Sequence, residues 1–595
     1  MGSTTGIPAR ASANSPSKAW LRALEATAPI ARNPTRIFSN VIEEWAETSG
    51  GAPALVSADE YLTYRGLAEH ANRYTRWALE QGLEKGDTIC LLMPNRPEYL
   101  ALWLGLSRAG CVVALLNTNL TGPSLDHSIN LVSPKHIIVA AELAGRAKAR
   151  PHLWIYGEHS GDFARLDQEI AGYSGEPLSD SERRPLTIED RALYIYTSGT
   201  TGMPKAANIS HGRIMQWSYW FAGLMGTQSN DRLYNCLPMY HSVGGILAAG
   251  AVLAAGGSVA VRDGFSARHF WDDIVRWDCT LFQYIGELCR YLLHSAPHPR
   301  ETSHRIRMCC GNGLRPEIWT AFQSRFAIPG ILEFYAATEG NVSLFNVEGR
   351  PGAVGRIPGY LEHRFPAALV RFDVETGEPV RDAAGYCMRS APEEPGELIG
   401  RIFADSANLG NRFDGYTSAE ETDKKILRHV FAAGDAWFRT GDLLRKDAAG
   451  YFYFVDRIGD TFRWKGENVS TAEVAAALCA FPGIQHANVY GVSVPGMEGR
   501  AGMALLLVSG ELDLEAFRTH LNERLPAYAH PVFLRIRNQL ETTGTFKYMK
   551  TVFVSEGYNP SLIDNVIYFN NRERCQFVRL DQELYQLIQS GRLRL

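Results

Sequence analysis

Short apolar runs alternating with helical stretches fill most of this chain, and no other feature narrows its fold as far. Thr88–Pro94 (TICLLMP), Cys111–Leu116 (CVVALL) and His136–Ala140 (HIIVA) read as buried strands, with a helix over Pro97–Ala109. Strands that take turns with helices bury both faces in parallel sheets covered by those helices, so an α/β fold is expected. The alternation continues past Leu193 and around Phe334, which makes residues 35–456 one large multi-layer body. Near Tyr451 the texture changes. An aromatic strand, YFYFVDRIGD, leads into a basic loop, a helix from Ser470 or Thr471, a strand over Ala487–Val494 and a helix over Leu514–Leu525. These define a smaller α+β domain over residues 457–595, joined to the body at Asp456–Asp460 and ending in an amphipathic helix, Leu580–Ile588. Residues 1–34 read as an N-terminal extension with a short surface helix.

Sixty basic side chains against 64 acidic ones leave a formal charge of -4, so no global field draws the chain onto nucleic acid, and any phosphate binding must be local. The ten cysteines form no CxxC pair, and adjacent Cys309 and Cys310 suit neither a relaxed disulfide nor zinc-ligand spacing. Reduced thiols in the cytoplasm are expected. The start lacks the apolar core of a signal peptide; Arg10, Lys18 and Arg22 without an acid in residues 1–24 give a faint likeness to a transit peptide. Gly244–Val261 is uncharged and nearly long enough to cross a bilayer, but Gly256 and Gly257 split it into an Ala-rich helix and an SVAV strand, which fits a buried core better.

The stretch with the most chemical content is Ala192–Lys205, ALYIYTSGTTGMPK: an apolar strand followed at once by hydroxyls, glycines and a lysine. Gly199 and Gly202 let backbone N–H groups approach an anion, while Thr197, Ser198, Thr200 and Thr201 offer hydroxyls and Lys205 a charge. Polyphosphate is the natural guest. The order of glycine, lysine and hydroxyl is not that of a Walker A loop, which weakens kinase and GTPase readings, and a plain Gly/Thr surface turn is the alternative.

With this loop the chain resembles the adenylate-forming superfamily, which includes acyl-CoA synthetases, luciferases and peptide-synthetase adenylation domains. YAATEG (Tyr335–Gly340), FRTGDL (Phe438–Leu443), DRIGDTFRWKGENVST (Asp456–Thr471) and TGTFKYMK (Thr543–Lys550) follow in the family's order. Within the superfamily, MPNRPEYLALWLGL, ALLNTNLTG and the TGTFK ending are most similar to the fatty acid transport protein branch, the very-long-chain acyl-CoA synthetases. The likeness runs from about residue 35 to the terminal GRLRL.

The resemblance implies a two-step ligase using ATP, Mg²⁺ and, as co-substrate, coenzyme A. It places Thr197 and Glu339 on the metal, Tyr335 and the Gly311–Asn312–Gly313 loop against adenine, Thr338 on the α-phosphate, and Asp442 with Arg457 on the ribose. Lys547 is the adenylation lysine, in a Thr-Phe-Lys where the family usually has Thr-Gly-Lys, and it would act with Thr338 and Glu339. His241 in PMYHSVGG belongs near the acyl carboxylate, with Trp217 and Trp220 as candidate walls of the acyl pocket. Lys465, Gly466, Glu467 and Asn468 would line the coenzyme A path after the small domain rotates about Asp456–Asp460. Taken singly, each residue has an ordinary alternative: core aromatic, structural histidine, turn cap or solvated lysine.

The expected reaction is conversion of a long-chain or very-long-chain fatty acid, ATP and coenzyme A into acyl-CoA, AMP and pyrophosphate, with coupling to uptake left open. An acyl-AMP ligase, a ligase for bile-acid-like or carnitine-like acids, and a lipid-uptake protein with a secondary nucleotide site stay open beside it, as do peripheral contact with the inner face of a membrane and the oligomeric state.

Overall fold

The structure is a computed structural model that describes residues 15–147, 150, 152–198, 204–374, 376–403, 412–464, 467–495, 497, 499–537, 550–572 and 574–593. Thr88–Leu92 and His136–Ala140 are buried along their whole length, as uninterrupted apolar strands covered on both faces must be. They are neighbours in a seven-stranded sheet ordered Ala164–Arg165, Leu153–Tyr156, His136–Ala140, Thr88–Leu92, Val112–Leu115, Arg191–Ser198, Pro204–Ser210. Every pair is parallel except the last, a hairpin. The helix Pro97–Arg108 starts on a proline, whose missing N–H costs nothing there, and is buried on all sides.

A second sheet of eight strands carries Leu281–Ile285, Met308–Asn312 and Ile331–Ala336 as parallel neighbours, with Ser343–Asn346 antiparallel at its edge. Tyr284, Gly311 and Glu333 lie side by side in this register, so the loops that follow leave from one edge of the sheet. That carboxyl edge is where open α/β sheets collect ligands. A third, antiparallel sheet contains Gly396–Ile402, Ala436–Lys446 and Tyr451–Arg457, and its register sets Asp442 opposite Arg457.

The uncharged stretch from Gly244 divides at its two glycines, into the helix Ala248–Leu253 and a buried strand, Ser258–Val261, held between Pro53–Val56 and Arg232–Asn235. No helix among the described residues is long and apolar enough to cross a membrane. All ten cysteines are free, and only Cys575 is exposed.

Beyond Arg457 the chain forms a hairpin, Phe462–Trp464 with Glu467–Val469, and then a five-stranded mixed sheet from Ile484–Val492 to Gln576–Arg579. Ser470 caps the helix Thr471–Cys479 by accepting from Glu473 N–H, as its hydroxyl at the helix start suggests. The strand expected at Ala487 starts at Ile484, where Ile484 already pairs with Val508. The closing helix is Gln582–Gln589. At the junction the buried Asp456 carboxylate accepts from Thr471 N–H at 2.7 Å and from the Thr461 and Thr471 hydroxyls at 3.0 and 3.1 Å, tying the end of the aromatic strand to the start of that helix.

The N-terminal helix Pro16–Thr27 is more than a surface helix. Ser15 caps it, and Ala19, Trp20, Ala23 and Thr27, spaced three and four apart, bury one face. That face sits on the helix His211–Met225, where Gly223 brings the backbones so close that an added Cβ would meet Ala23 N at 2.5 Å.

Candidate active site

Among the described residues, Thr197, Gly311, Asn312 and Tyr335 lie at strand ends of the two large α/β sheets, and Asp442 and Arg457 lie on the antiparallel sheet. On the nucleoside side, the Tyr335 hydroxyl donates to Asp442 Oδ2 at 2.6 Å, and Arg457 Nε lies 3.6 Å from Asp442 Oδ1. Burial pushes the Asp442 carboxyl up from its ordinary range, while Arg457 and the Tyr335 hydroxyl pull it back. Gly311 and Asn312 end their strand, and Gly313 follows at φ +82°, a left-handed turn that suits glycine. The Asn312 Oδ1 is buried and has no hydrogen-bond partner among the described residues, so an acceptor waits on this loop.

The loop is held from behind by Glu333. One carboxyl oxygen accepts from the N–H groups of Gly313 and Leu314, and the Tyr284 hydroxyl donates to the other. Burial pushes the Glu333 carboxyl up to about 8 against the pull of these three hydrogen bonds.

On the phosphate side, Thr197 and Lys205 face each other across the hairpin, and Ser198 pairs with Pro204 where the strands part. Gly199, Thr200, Thr201 and Gly202 lie outside the described residues. The Tyr416 hydroxyl donates to Glu339 Oε1 at 2.8 Å and is also hydrogen-bonded to Thr197, which brings the two expected metal ligands to one tyrosine. Lys205 pairs with Glu421. Tyr416 itself is strapped to the second hairpin strand, because Asn208 Nδ2 donates to the carbonyls of Asp414 and Tyr416 at 2.9 and 3.2 Å.

Arg213 organises the middle of the site. Its buried guanidinium donates to the carbonyls of Thr338 at 2.8 Å, Gly340 at 2.9 Å and Arg412 at 2.6 Å, and lies 3.5 Å from Asp414. One side chain thus joins the Thr338–Gly340 turn to the strap carrying Tyr416. Thr338 Oγ1 and Ser242 Oγ are 2.9 Å apart, so the segment after His241 meets the same turn. The His241 ring lies 4.5 Å from the Tyr240 ring. Trp217 stands one turn after Arg213, half-buried, with the guanidinium carbon 5.4 Å from its ring centre. Trp220, one turn further, is buried in an aromatic cluster with Trp20, Phe345 and Phe365 at 5.9, 5.7 and 5.4 Å.

Lys547, Lys465 and Gly466 lie outside the described residues. Glu467 is exposed on the hairpin, and Asn468 pairs there with Arg463. The sequence reading missed Arg213, Tyr416, Ser242, Glu333 and Tyr284. Ser242 adjoins the histidine singled out and Glu333 precedes Tyr335 by two, so both stood within reach; nothing in the sequence marks Arg213 or Tyr416, whose partners are more than 70 residues away.

Residues 42–401 match the AMP-binding enzyme family and residues 473–547 the AMP-binding enzyme C-terminal domain. The chain is 40% identical over 553 residues to long-chain fatty acid transport protein 1 of Mus musculus, covering 90% of this chain and 85% of that one. Long-chain fatty acid transport protein 3 of Mus musculus is 42% identical over 527 residues, 86% and 78% of the two chains. Among solved structures, the anthranilate CoA ligase AuaEII in complex with anthranoyl-AMP superposes with a TM-score of 0.73 at 20% identity, covering 87% and 97%. ATP-bound MatB from Rhodopseudomonas palustris gives 0.71 at 23%, covering 88% and 100%, so the large body with a smaller C-terminal domain is a shared fold. Matched by the family model across most of its body and by close relatives across nearly all its length, the chain belongs to the AMP-binding enzymes, in the family of the long-chain fatty acid transport proteins.

Proposed function

We propose that this enzyme is a long-chain or very-long-chain fatty acid–CoA ligase that works through an acyl-adenylate. The observation that carries the reading is the meeting, around Arg213 and the Thr338–Gly340 turn, of nucleoside-side, phosphate-side and apolar elements. In the first half-reaction a carboxylate oxygen attacks the α-phosphorus of ATP and the bond to the bridging oxygen of pyrophosphate breaks. In the second, the thiol of coenzyme A loses its proton, its sulfur attacks the acyl carbonyl, and AMP leaves.

The residues fit this chemistry by type and place. Asp442, buried with two acceptor oxygens and braced by Arg457 and Tyr335, suits a pair of ribose hydroxyls. Asn312 Oδ1 suits an amine donor on the base, beside the flat face of Tyr335. Thr338, fixed through its carbonyl by Arg213 and its hydroxyl by Ser242, would donate to the α-phosphate. Glu339 and Thr197 give one carboxylate and one hydroxyl, a donor set that fits Mg²⁺, which takes few protein ligands and completes its shell from phosphates and water. When bound there it would neutralise charge on the polyphosphate. Lys205 and the glycines at 199 and 202 would hold the outer phosphates, and Lys547 would follow the charge that develops as pyrophosphate leaves. The domains are taken as 1–34, 35–456 and 457–595; rotation at Asp456–Asp460, where Gly459 has φ +94°, would replace Lys547 with the 465–468 hairpin and admit coenzyme A.

The carboxylate end of the acid belongs between Thr338 and His241, and its chain among the apolar residues behind them. Trapping an incoming acid as its thioester would couple the reaction to uptake. The test is AMP release from ATP and Mg²⁺, with and without coenzyme A, over short, medium, long, very long and steroid-side-chain acids, with Lys547→Ala alongside. AMP and thioester formed together from long acids, and lost in the variant, are expected. Pyrophosphate without thioester would make it an acyl-AMP ligase, and no turnover with any acid would overturn the proposal.

A further inference from the structure

Behind the Thr338–Ser242 contact lies an apolar tract between the helix His211–Met225 and the strand Ile331–Ala336. Helix and strand both begin this tract at the reacting end: Arg213 donates to Thr338 O, and the strand runs into that same turn. Trp217 and Trp220 line one side, Phe334 and Phe345 the other, and Leu247 comes from the segment after His241. At 1.5 Å per residue, Trp220 stands about 10 Å down the helix from Arg213.

Trp20 enters this tract from a separate part of the chain. It is 2% exposed, with ring centres 5.9 Å from Trp220, 5.8 Å from Phe345 and 5.9 Å from Phe365, and interplanar angles of 66°, 79° and 67° make all three contacts edge-on rather than stacked. Edge-on packing of this kind fills the apolar tract between the helix and the edge strand. The helix that carries Trp20 is fixed by the backbone approach at Gly223 and by Arg22 Nε donating to Gly223 O at 3.1 Å. An exposed N-terminal helix would need neither contact. Its one large buried aromatic packs on Trp220, two turns along the His211–Met225 helix from Arg213.

Resting on the ligase reading above, we propose that the N-terminal helix forms the far wall of the acyl site and that Trp20 is its specificity-determining residue, setting the length and bulk of the apolar acid accepted. Replacing the indole with a smaller apolar side chain opens room at the end of the tract without touching the groups that face ATP. A site that differs by one methylene discriminates roughly 10- to 200-fold, so a change of a whole indole should read clearly.

The experiment compares Trp20→Ala and Trp20→Leu with the wild-type enzyme, by thioester formation from ATP, coenzyme A and saturated acids of medium, long and very long chain. The readout is the ratio of kcat/KM for successive acids within each preparation, which a reduced folded fraction leaves unchanged. A shift of that ratio toward longer acids by at least about tenfold in Trp20→Ala, and by less in Trp20→Leu, is expected. Where Trp20→Ala fails to fold, Trp20→Leu, which keeps the cluster apolar, gives the same reading. Ratios equal to those of the wild type in a folded variant would overturn the role of Trp20 while leaving the ligase intact. A wild-type enzyme that forms thioester from none of these acids would overturn the ligase reading and this inference with it.

Discussion

At the scale of single residues, two buried ionisable groups decide the shape of the site. Arg213 donates to three carbonyls from two segments, a task that needs the planar fork of guanidinium and that a lysine ammonium on its flexible stem cannot repeat. Arg213→Lys is therefore expected to keep the fold but lower kcat/KM for ATP in pyrophosphate release by about tenfold or more, since each carbonyl left bare in a buried setting costs about 1 to 3 kcal/mol. A variant with wild-type kinetics would mean the turn holds itself. Glu333 gives a pH signature. Its carboxyl is pushed up to about 8 from an ordinary 4.5, so the folded chain prefers the protonated form. Its contribution to stability is whole below about pH 4.5 and is lost as the pH rises through 8. Glu333→Gln, which keeps an acceptor for Gly313 and Leu314 but cannot ionise, should gain stability relative to wild type as the pH climbs from about 5 to 8 in thermal melts, whereas a pH-independent difference would contradict the buried, protonated acid.

At the scale of elements, helix packing brings distant sequence to the site. The N-terminal helix meets the His211–Met225 helix at Gly223, where a Cβ would clash with backbone rather than with a movable side chain. Gly223→Ala should therefore loosen the N-terminal helix at a cost of about 1 to 3 kcal/mol, visible as a lower melting temperature and faster proteolytic cleavage between residues 28 and 36. The strand ends were the most legible part of the site. Tyr335, Thr338, Glu339, Asp442 and Arg457 stand in motifs that resemble those of the adenylate-forming superfamily, and it was that resemblance that singled them out. The strap with Tyr416 was not legible, because its sequence resembles any polar loop and its place is set by Asn208 and Arg213.

At the scale of the whole molecule, the small domain docks against the body through more than the junction at Asp456. His486 is buried near Arg290 and Arg315 of the large body, and burial first, then these two charges, push its imidazole down to about 2. A histidine whose folded value lies below its ordinary 6.5 is held neutral, so the stability of this packing is whole above about pH 6.5 and falls steadily as the pH drops below it, with the two arginines of the body adding to the burial. Lowering the pH from about 7 to 5 should increase proteolytic cleavage near 458–461 in the wild type, and His486→Asn should remove that pH dependence. Cleavage that rises equally in both would show that other groups control the docking.

What the sequence determined by itself was the class of fold, the order of its parts and the chemistry of its loops, since periodicity, turn residues and hydroxyl-rich motifs act over a few neighbouring positions. The alternating strands and helices, the Thr471–Cys479 helix and the split of Gly244–Val261 at its glycines all follow from such local rules. Only the tertiary structure decided which distant side chains share a site. Arg213 across to Arg412, Tyr416 to Glu339 and Trp20 to Trp220 are pairings between segments 77 to 200 residues apart. They arise because two sheets, a strap and a terminal helix bury their apolar faces together, and no local pattern records which face meets which.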